Sequence, residues 1–101
     1  MSIQLTAVNQ YVKFIPLALK VRADLSEAAT IPQRLILFRR DADGSEVLLK
    51  SCRLNPVSSL QKGVDEEFQC LQAAGTSQIY RAAVYGLNNE LLDEQTLTVT
   101  V

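Results

Sequence analysis

The side chains that most often carry out catalysis or bind metals are sparse in this chain of 101 residues. It contains no histidine, the commonest general base and metal ligand. A Ser-His-Asp or Cys-His arrangement therefore cannot form within the chain. Ser59 and Lys62 match the S-x-x-K spacing of some serine nucleophiles, but the chain is far smaller than the enzymes that use it and lacks their companion motifs. We predict that the protein is not an enzyme and uses no cofactor.

Carboxylates occur in three clusters, of which the first could hold a cation and the other two could form paired carboxylates. Asp41-Ala42-Asp43-Gly44 resembles part of a calcium loop, in which alternating carboxylates supply hard oxygen ligands. The third acidic ligand and the glutamate at loop position 12 are missing, so the sequence predicts a hairpin turn instead. We interpret the acidic clusters at 65–67 and 93–94 as solvated loop faces. No metal site is predicted.

Two cysteines leave the redox state of the chain open. Cys52 and Cys70 are too far apart for a redox C-x-x-C and lack partners for zinc. If their strands pair, a bridge between them would stabilise the fold by about 3 kcal/mol and imply an oxidising compartment. The alternative is two separate buried thiols that pack as small hydrophobes. We favour an extracellular or cell-surface location, with an intracellular or virion location as the alternative.

Composition predicts one globular domain that spans residues 1–101. Apolar residues make up 48% of the chain and charged residues 21%, which is enough to bury a core. Ten basic and eleven acidic residues are scattered without a basic stripe, so nucleic acid is not expected as a partner. No apolar run approaches the roughly 20 residues that span a bilayer, and no direct membrane insertion is expected. The N-terminus lacks the features of a signal peptide.

The clearest structural pattern is a β-hairpin in the last third of the chain, from residue 75 to residue 101. Tyr80, Ala82 and Val84 alternate with Arg81 and Ala83. The final stretch alternates threonines with apolar side chains, at Leu97, Val99 and Val101. This alternation with a period of two residues predicts strands with one buried face and one solvent-exposed face.

Similar patterns predict the earlier strands. The first begins at Ile3 and ends near Phe14, and the others cover residues 17–23, 33–40 and 46–54. Four consecutive apolar residues, from Leu35 to Phe38, predict a central strand covered on both faces. A loop is expected at 24–32 and a turn at 41–45.

The segment from residue 55 to residue 75 fits two structures. Leu60, Val64, Phe68 and Leu71 have nearly helical spacing, which would give a short helix near residues 65–73. Gly63 disfavours that helix, and the neighbouring strands need another partner, so we favour a strand at 66–71. The prediction is an all-β chain of about seven strands, folded as an antiparallel β-sandwich.

The C-terminal segments 71–76, 80–84 and 86–89, with the Thr/Val-rich last strand, resemble the closing strands of immunoglobulin-like and fibronectin type III domains. The resemblance implies an immunoglobulin-like sandwich and a structural role for Tyr80, whose hydroxyl would bond back to the backbone at the corner. The chain has no tryptophan, and Ala82 stands where antibody-type domains carry a cysteine. Fold alone does not confer function.

These features predict a non-catalytic protein–protein interaction or structural module of a bacterial or viral surface, adhesion or assembly protein. The hairpin tip, the loop at 24–32 or an edge strand would contact the partner. At the tip the candidate binding residues are Asn88, Asn89, Glu90 and Leu91. The alternative is a carbohydrate-binding or accessory domain of a secreted enzyme, with Tyr11 and Tyr85 as candidate sugar platforms. A homodimer through a sheet face stays open.

Overall fold

A computed structural model describes residues 2–7, 17–26, 30–55, 63–70, 72 and 75–100. Within these ranges the chain forms seven strands: β1 (Ser2–Ala7), β2 (Leu17–Asp24), β3 (Pro32–Arg40), β4 (Glu46–Arg53), β5 (Val64–Cys70), β6 (Ser77–Gly86) and β7 (Leu91–Thr100). The described ranges contain no helix, and so none long enough to cross a membrane.

The strands form two antiparallel sheets that pack face to face. The first sheet has the order β1-β2-β5, and the second has the order β4-β3-β6-β7. Every neighbouring pair is antiparallel. The predicted all-β fold and the antiparallel β-sandwich of about seven strands are confirmed.

The core lies between the sheets and follows the alternation seen in the sequence. On β2, Leu19 and Val21 are fully buried, while Lys20 and Arg22, which alternate with them, reach solvent. On β6, Ala82 and Val84 point into the same core. Burial of one face is what selects the register, because a slip of one residue would turn every apolar side chain to solvent.

β3 is the central strand that the four apolar residues predicted. It pairs with β4 on one side and with β6 on the other. Leu35 and Leu37 point into the core, whereas Ile36 points to the outer face and is still buried. The prediction of a strand covered on both faces is confirmed for these three residues.

The segment that fitted either a helix or a strand is a strand. β5 pairs with β2 along its whole length, and Phe68 lies opposite Leu19 in the core. The favoured strand is therefore confirmed at residues 66–70, and the alternative of a short helix near residues 65–73 is wrong at residues 65–70. The nearly helical spacing of its apolar residues did not produce a helix, because β2 needed a neighbouring strand to complete its backbone hydrogen bonds. The rest of the predicted first strand, from residue 8 to Phe14, lies outside the described residues.

Tyr80 anchors β6 through a side-chain relay. It is 1% exposed, and its hydroxyl donates to Gln72 Oε1 at 2.9 Å. The Gln72 amide then donates to the carbonyls of Val99, at 2.8 Å, and Thr76, at 3.2 Å. The resemblance implied a direct bond to the backbone, but here Gln72 stands between the hydroxyl and the backbone. Burial raises the pKa of Tyr80 to about 12.

Candidate interaction surface

The hairpin between β6 and β7 holds the four binding residues predicted at the tip. Gly86 donates its N–H to the Glu90 carbonyl at 2.9 Å, and Asn89 donates to the Gly86 carbonyl at 3.0 Å. Asn89 adopts φ 61°, a left-handed conformation that asparagine tolerates better than most residues. The loop is thus a tight four-residue turn, and Leu91 already begins β7.

Two of those four side chains tie the tip to the start of β3. Asn89 Oδ1 accepts a hydrogen bond from Arg34, and Glu90 Oε1 accepts one from the Thr30 hydroxyl. Asn88 is exposed, and Leu91 is 47% exposed. Half of the predicted set therefore holds the loop in place, and the other half faces solvent. The role of the set in binding stays a prediction.

Arg81 occupies the middle of the outer face of the four-stranded sheet. It donates to Glu46 at 2.8 Å and to Glu94 at 2.6 Å, and it lies 4.3 Å from the ring centroid of Phe38. These hydrogen bonds raise the pKa of Arg81 and lower that of Glu46. The ion pairs join β4, β6 and β7 across the face, so this cluster stabilises the sheet.

Strand β4 is the most exposed strand of the structure that carries an apolar run. Val47 is 39% exposed, Leu48 54% and Leu49 36%. β4 pairs only with β3, so it forms one edge of its sheet. The pairing shifts by one residue between Leu37 and Phe38, which leaves Leu49 as the extra residue of a β-bulge.

The other edges of the sandwich are covered or charged. On the far side, the β1 edge is reached by β7, where Gln95 Oε1 accepts the backbone N–H of Leu5. The β5 edge carries the exposed acidic residues 65–67. Both are devices that keep an edge from pairing with another chain. Among the described strands, β4 is the edge that presents three consecutive apolar side chains.

A cleft of about 280 Å³ opens where the β4 edge faces β5. Its lining comes from both sheets: Arg39, Leu49, Gln69, Cys70 and Tyr80. Further along the same side, Lys50 Nζ lies 5.8 Å from the ring centroid of Phe68. The cleft therefore continues the apolar surface of β4 toward the core instead of forming a separate site.

The two cysteines are free thiols in the structure. Burial, followed by the charge of Glu66, raises the pKa of the Cys52 thiol, and burial raises that of Cys70. Cys70 lines the cleft between β4 and β5 together with Leu49. The bridge is not formed here, and its presence in solution stays a prediction.

The acidic clusters do not assemble into a metal site within the described residues. The segment 41–45 is the predicted turn, with Asp41 donating its N–H to the Ser45 carbonyl at 2.8 Å. The Asp43 carboxylate accepts from the Ser45 hydroxyl at 2.6 Å, which lowers its pKa. The clusters at 65–67 and 93–94 lie on β5 and β7, so their assignment to loops is wrong. Ser59 and Lys62 lie outside the described residues.

Among the described residues, aromatic side chains offer little exposed surface on which a sugar ring could stack. Tyr80 is buried, Tyr85 is half-buried, and Phe38 lies under Arg81. Tyr11 lies outside the described residues. The exposed surface is aliphatic instead, at Val47–Leu49 and, around the hairpin tip, at Ile31, Leu87 and Leu91.

Sequence reasoning placed β4 correctly but missed its exposed apolar run. The available signal was the sequence Val47-Leu48-Leu49 between Glu46 and Lys50, in which a strict period of two fails. That run reads equally well as a strand buried on both faces. Only the pairing partners reveal that it lies at an edge.

Comparisons with protein-family models, with curated proteins and with solved structures find no match to this chain.

Proposed function

We propose that this chain is a non-catalytic protein-interaction module that binds its partner through the edge of β4. The observation that carries the proposal is the exposed run Val47-Leu48-Leu49 on a strand with one free edge. Unpaired N–H and C=O groups of an edge strand recognise another strand, and apolar side chains beside them add affinity. Charged residues Glu46 and Lys50 flank the run and disfavour indiscriminate aggregation.

We further propose an immunoglobulin-like relationship for the sandwich. Support comes from the strand order, in which strands 1, 2 and 5 form one sheet and strands 3, 6 and 7 form the body of the other. That division matches the immunoglobulin constant-type arrangement except for β4, which pairs with β3 instead of β5. The fourth strand is an edge in both arrangements, and here it is the edge that lies beside β3.

The experiment compares two charge insertions at exposed positions of the same sheet. Leu48→Glu places a carboxylate in the middle of the run, and Thr96→Glu places one on β7, where the side chain is also exposed. Each tagged variant is produced in the cells that make the protein, and the size of its native complex is measured in the extract.

We expect the parent chain and Thr96→Glu to elute as a complex larger than one chain, and Leu48→Glu to elute as a monomer. Both variants should keep the far-UV circular dichroism spectrum of the parent chain, because both side chains are exposed and neither change disturbs the core. A Leu48→Glu chain that stays in the complex would contradict the proposal, as would a parent chain that is monomeric in the extract.

A further inference from the structure

Along β4, the order in which side chains point to the outer or the inner face of the sheet is symmetrical about the middle of the strand. Residues opposite each other in an antiparallel pair point to the same face. Pairing with β3 therefore places residues 46, 48, 51 and 53 on the outer face and residues 47, 50 and 52 on the inner face. The bulge at Leu49 makes this possible, because it shifts the alternation by one residue at the middle of the strand.

This pattern allows β4 to pair with a second copy of itself in one full-length register. When residue i lies opposite residue 99 − i, Glu46 faces Arg53, Val47 faces Cys52 and Leu48 faces Ser51. Every one of these pairs joins two outer-face or two inner-face positions. In a strand without the bulge, side chains alternate between the two faces without interruption. Each of these pairs would then set an outer-face residue opposite an inner-face residue.

The charges at the two ends of β4 favour the same register. Arg53 lies directly opposite Arg34 on β3, and both point to the outer face. Like charges directly opposite in a sheet are destabilising. Arg34 bonds to the neutral Asn89 side chain. Arg53 lines a cleft together with Asp65 and Glu66, but among the described residues no ion pair within 4.0 Å joins either guanidinium to a carboxylate. In the self-paired register a Glu46 carboxylate arrives beside Arg53, once in each copy by symmetry.

We propose that the partner at the β4 edge is a second copy of this chain, paired antiparallel through β4 into one continuous eight-stranded sheet. This inference rests on the proposed function and adds the identity of the partner. The two-fold axis passes between Leu49 and Lys50 of the two strands. In this register the exposed side chains of Val47, Leu48 and Leu49 lie opposite Cys52, Ser51 and Lys50 of the second copy and are covered by it, and the two Glu46–Arg53 pairs fix the register.

The test combines sedimentation of the purified chain with a designed cross-link. Val47→Cys in a Cys70→Ala background leaves cysteines only at 47 and 52, which lie opposite each other across the two-fold axis. Their Cβ atoms would be about 4.5–5.5 Å apart, within reach of a disulfide after small adjustment. Thr96→Cys in the same background is the matched control, because its thiol is exposed but distant from β4.

We expect the parent chain to sediment as a reversible dimer and Leu48→Glu to weaken that dimer by at least about tenfold. Arg53→Glu, which sets two carboxylates opposite each other, should weaken it as well. Mild oxidation should convert the Val47→Cys protein, but not the Thr96→Cys protein, into a covalent dimer.

Three results would overturn the inference: a parent chain that is monomeric at all concentrations, equal cross-linking of the two variants, or a dimer unaffected by Leu48→Glu. A purified monomer combined with a Leu48-dependent complex in the cell extract would reject the second copy and leave the proposed function standing, with an extended segment of another protein as the partner. A purified monomer together with no Leu48-dependent complex in the extract would reject both the second copy and the proposed function.

Discussion

Removal of the Tyr80 hydroxyl tests the hydrogen-bonded relay that joins β6 to the end of β7. Tyr80→Phe keeps the ring in the core and deletes only the bond to Gln72 Oε1, which is 2.9 Å long. The Gln72 side chain is itself buried, so its carbonyl oxygen would be left without a donor. A buried acceptor that loses its partner costs about 1–3 kcal/mol in unfolding free energy. For a domain of this size each kcal/mol lowers the unfolding midpoint by roughly 4–8 °C.

Urea unfolding followed by far-UV circular dichroism measures that loss directly. The matched control is Tyr85→Phe, because Tyr85 is half-buried on the outer face of the same strand. The Tyr85 hydroxyl accepts a hydrogen bond from Arg81, and we expect the control to lose less than about 1 kcal/mol, since water can replace that bond on the half-exposed face.

A double-mutant cycle with Gln72→Leu separates the relay from general packing. Residues in one hydrogen-bond network show a coupling energy of about 0.5–3 kcal/mol, whereas independent sites are additive. A loss in Tyr80→Phe no larger than that of the control, or additive effects in the cycle, would refute the relay as the anchor of β6.

Three further outcomes follow from local contacts. Arg53→Glu should weaken self-association, because it sets the carboxylates of residues 46 and 53 opposite each other in the paired register; an unchanged dimer affinity in sedimentation would contradict this. Gly63→Ala should cost about 1–3 kcal/mol, since φ is +74° and the new Cβ would collide with the Ala23 carbonyl. Gly44→Ala, also at positive φ but in open space, should cost less in the same urea assay. Stability should fall between pH 10 and about 12: the pKa of Tyr80 is raised, so the folded state holds a proton that the unfolded state releases. Unfolding free energies that stay level across that range in the parent, or fall equally in Tyr80→Phe, would contradict this origin.

The fold could be predicted from sequence where burial alone decides the structure. The alternation through Tyr80, Ala82 and Val84 specifies a strand with one buried face, and the apolar run at 35–37 specifies a central strand. Both patterns report contact with the core, which is a property of each residue and its near neighbours. The sandwich follows because several such strands must share one core.

The candidate surface could not be predicted in the same way, because it depends on which strands are neighbours. Val47, Leu48 and Leu49 look like core residues until β4 is known to pair with β3 alone. The Tyr80–Gln72 hydrogen bond likewise depends on how the chain folds between β5 and β6, which the local sequence pattern does not specify. The sequence also named the hairpin tip as one of three candidate contact regions. In the structure Asn89 and Glu90 hold that loop against Arg34 and Thr30, and the role of the tip in binding stays a prediction.

The most direct test of the central claim is a photo-cross-linking scan in the cells that make the protein. A photoreactive phenylalanine analogue replaces Leu48 on β4, Leu87 at the hairpin tip or Thr96 on β7, all three of which are exposed. The edge account predicts one defined adduct from position 48, with twice the mass of one chain if the partner is a second copy, and none from position 96. Adducts from position 87 without any from position 48 would contradict it and assign binding to the tip.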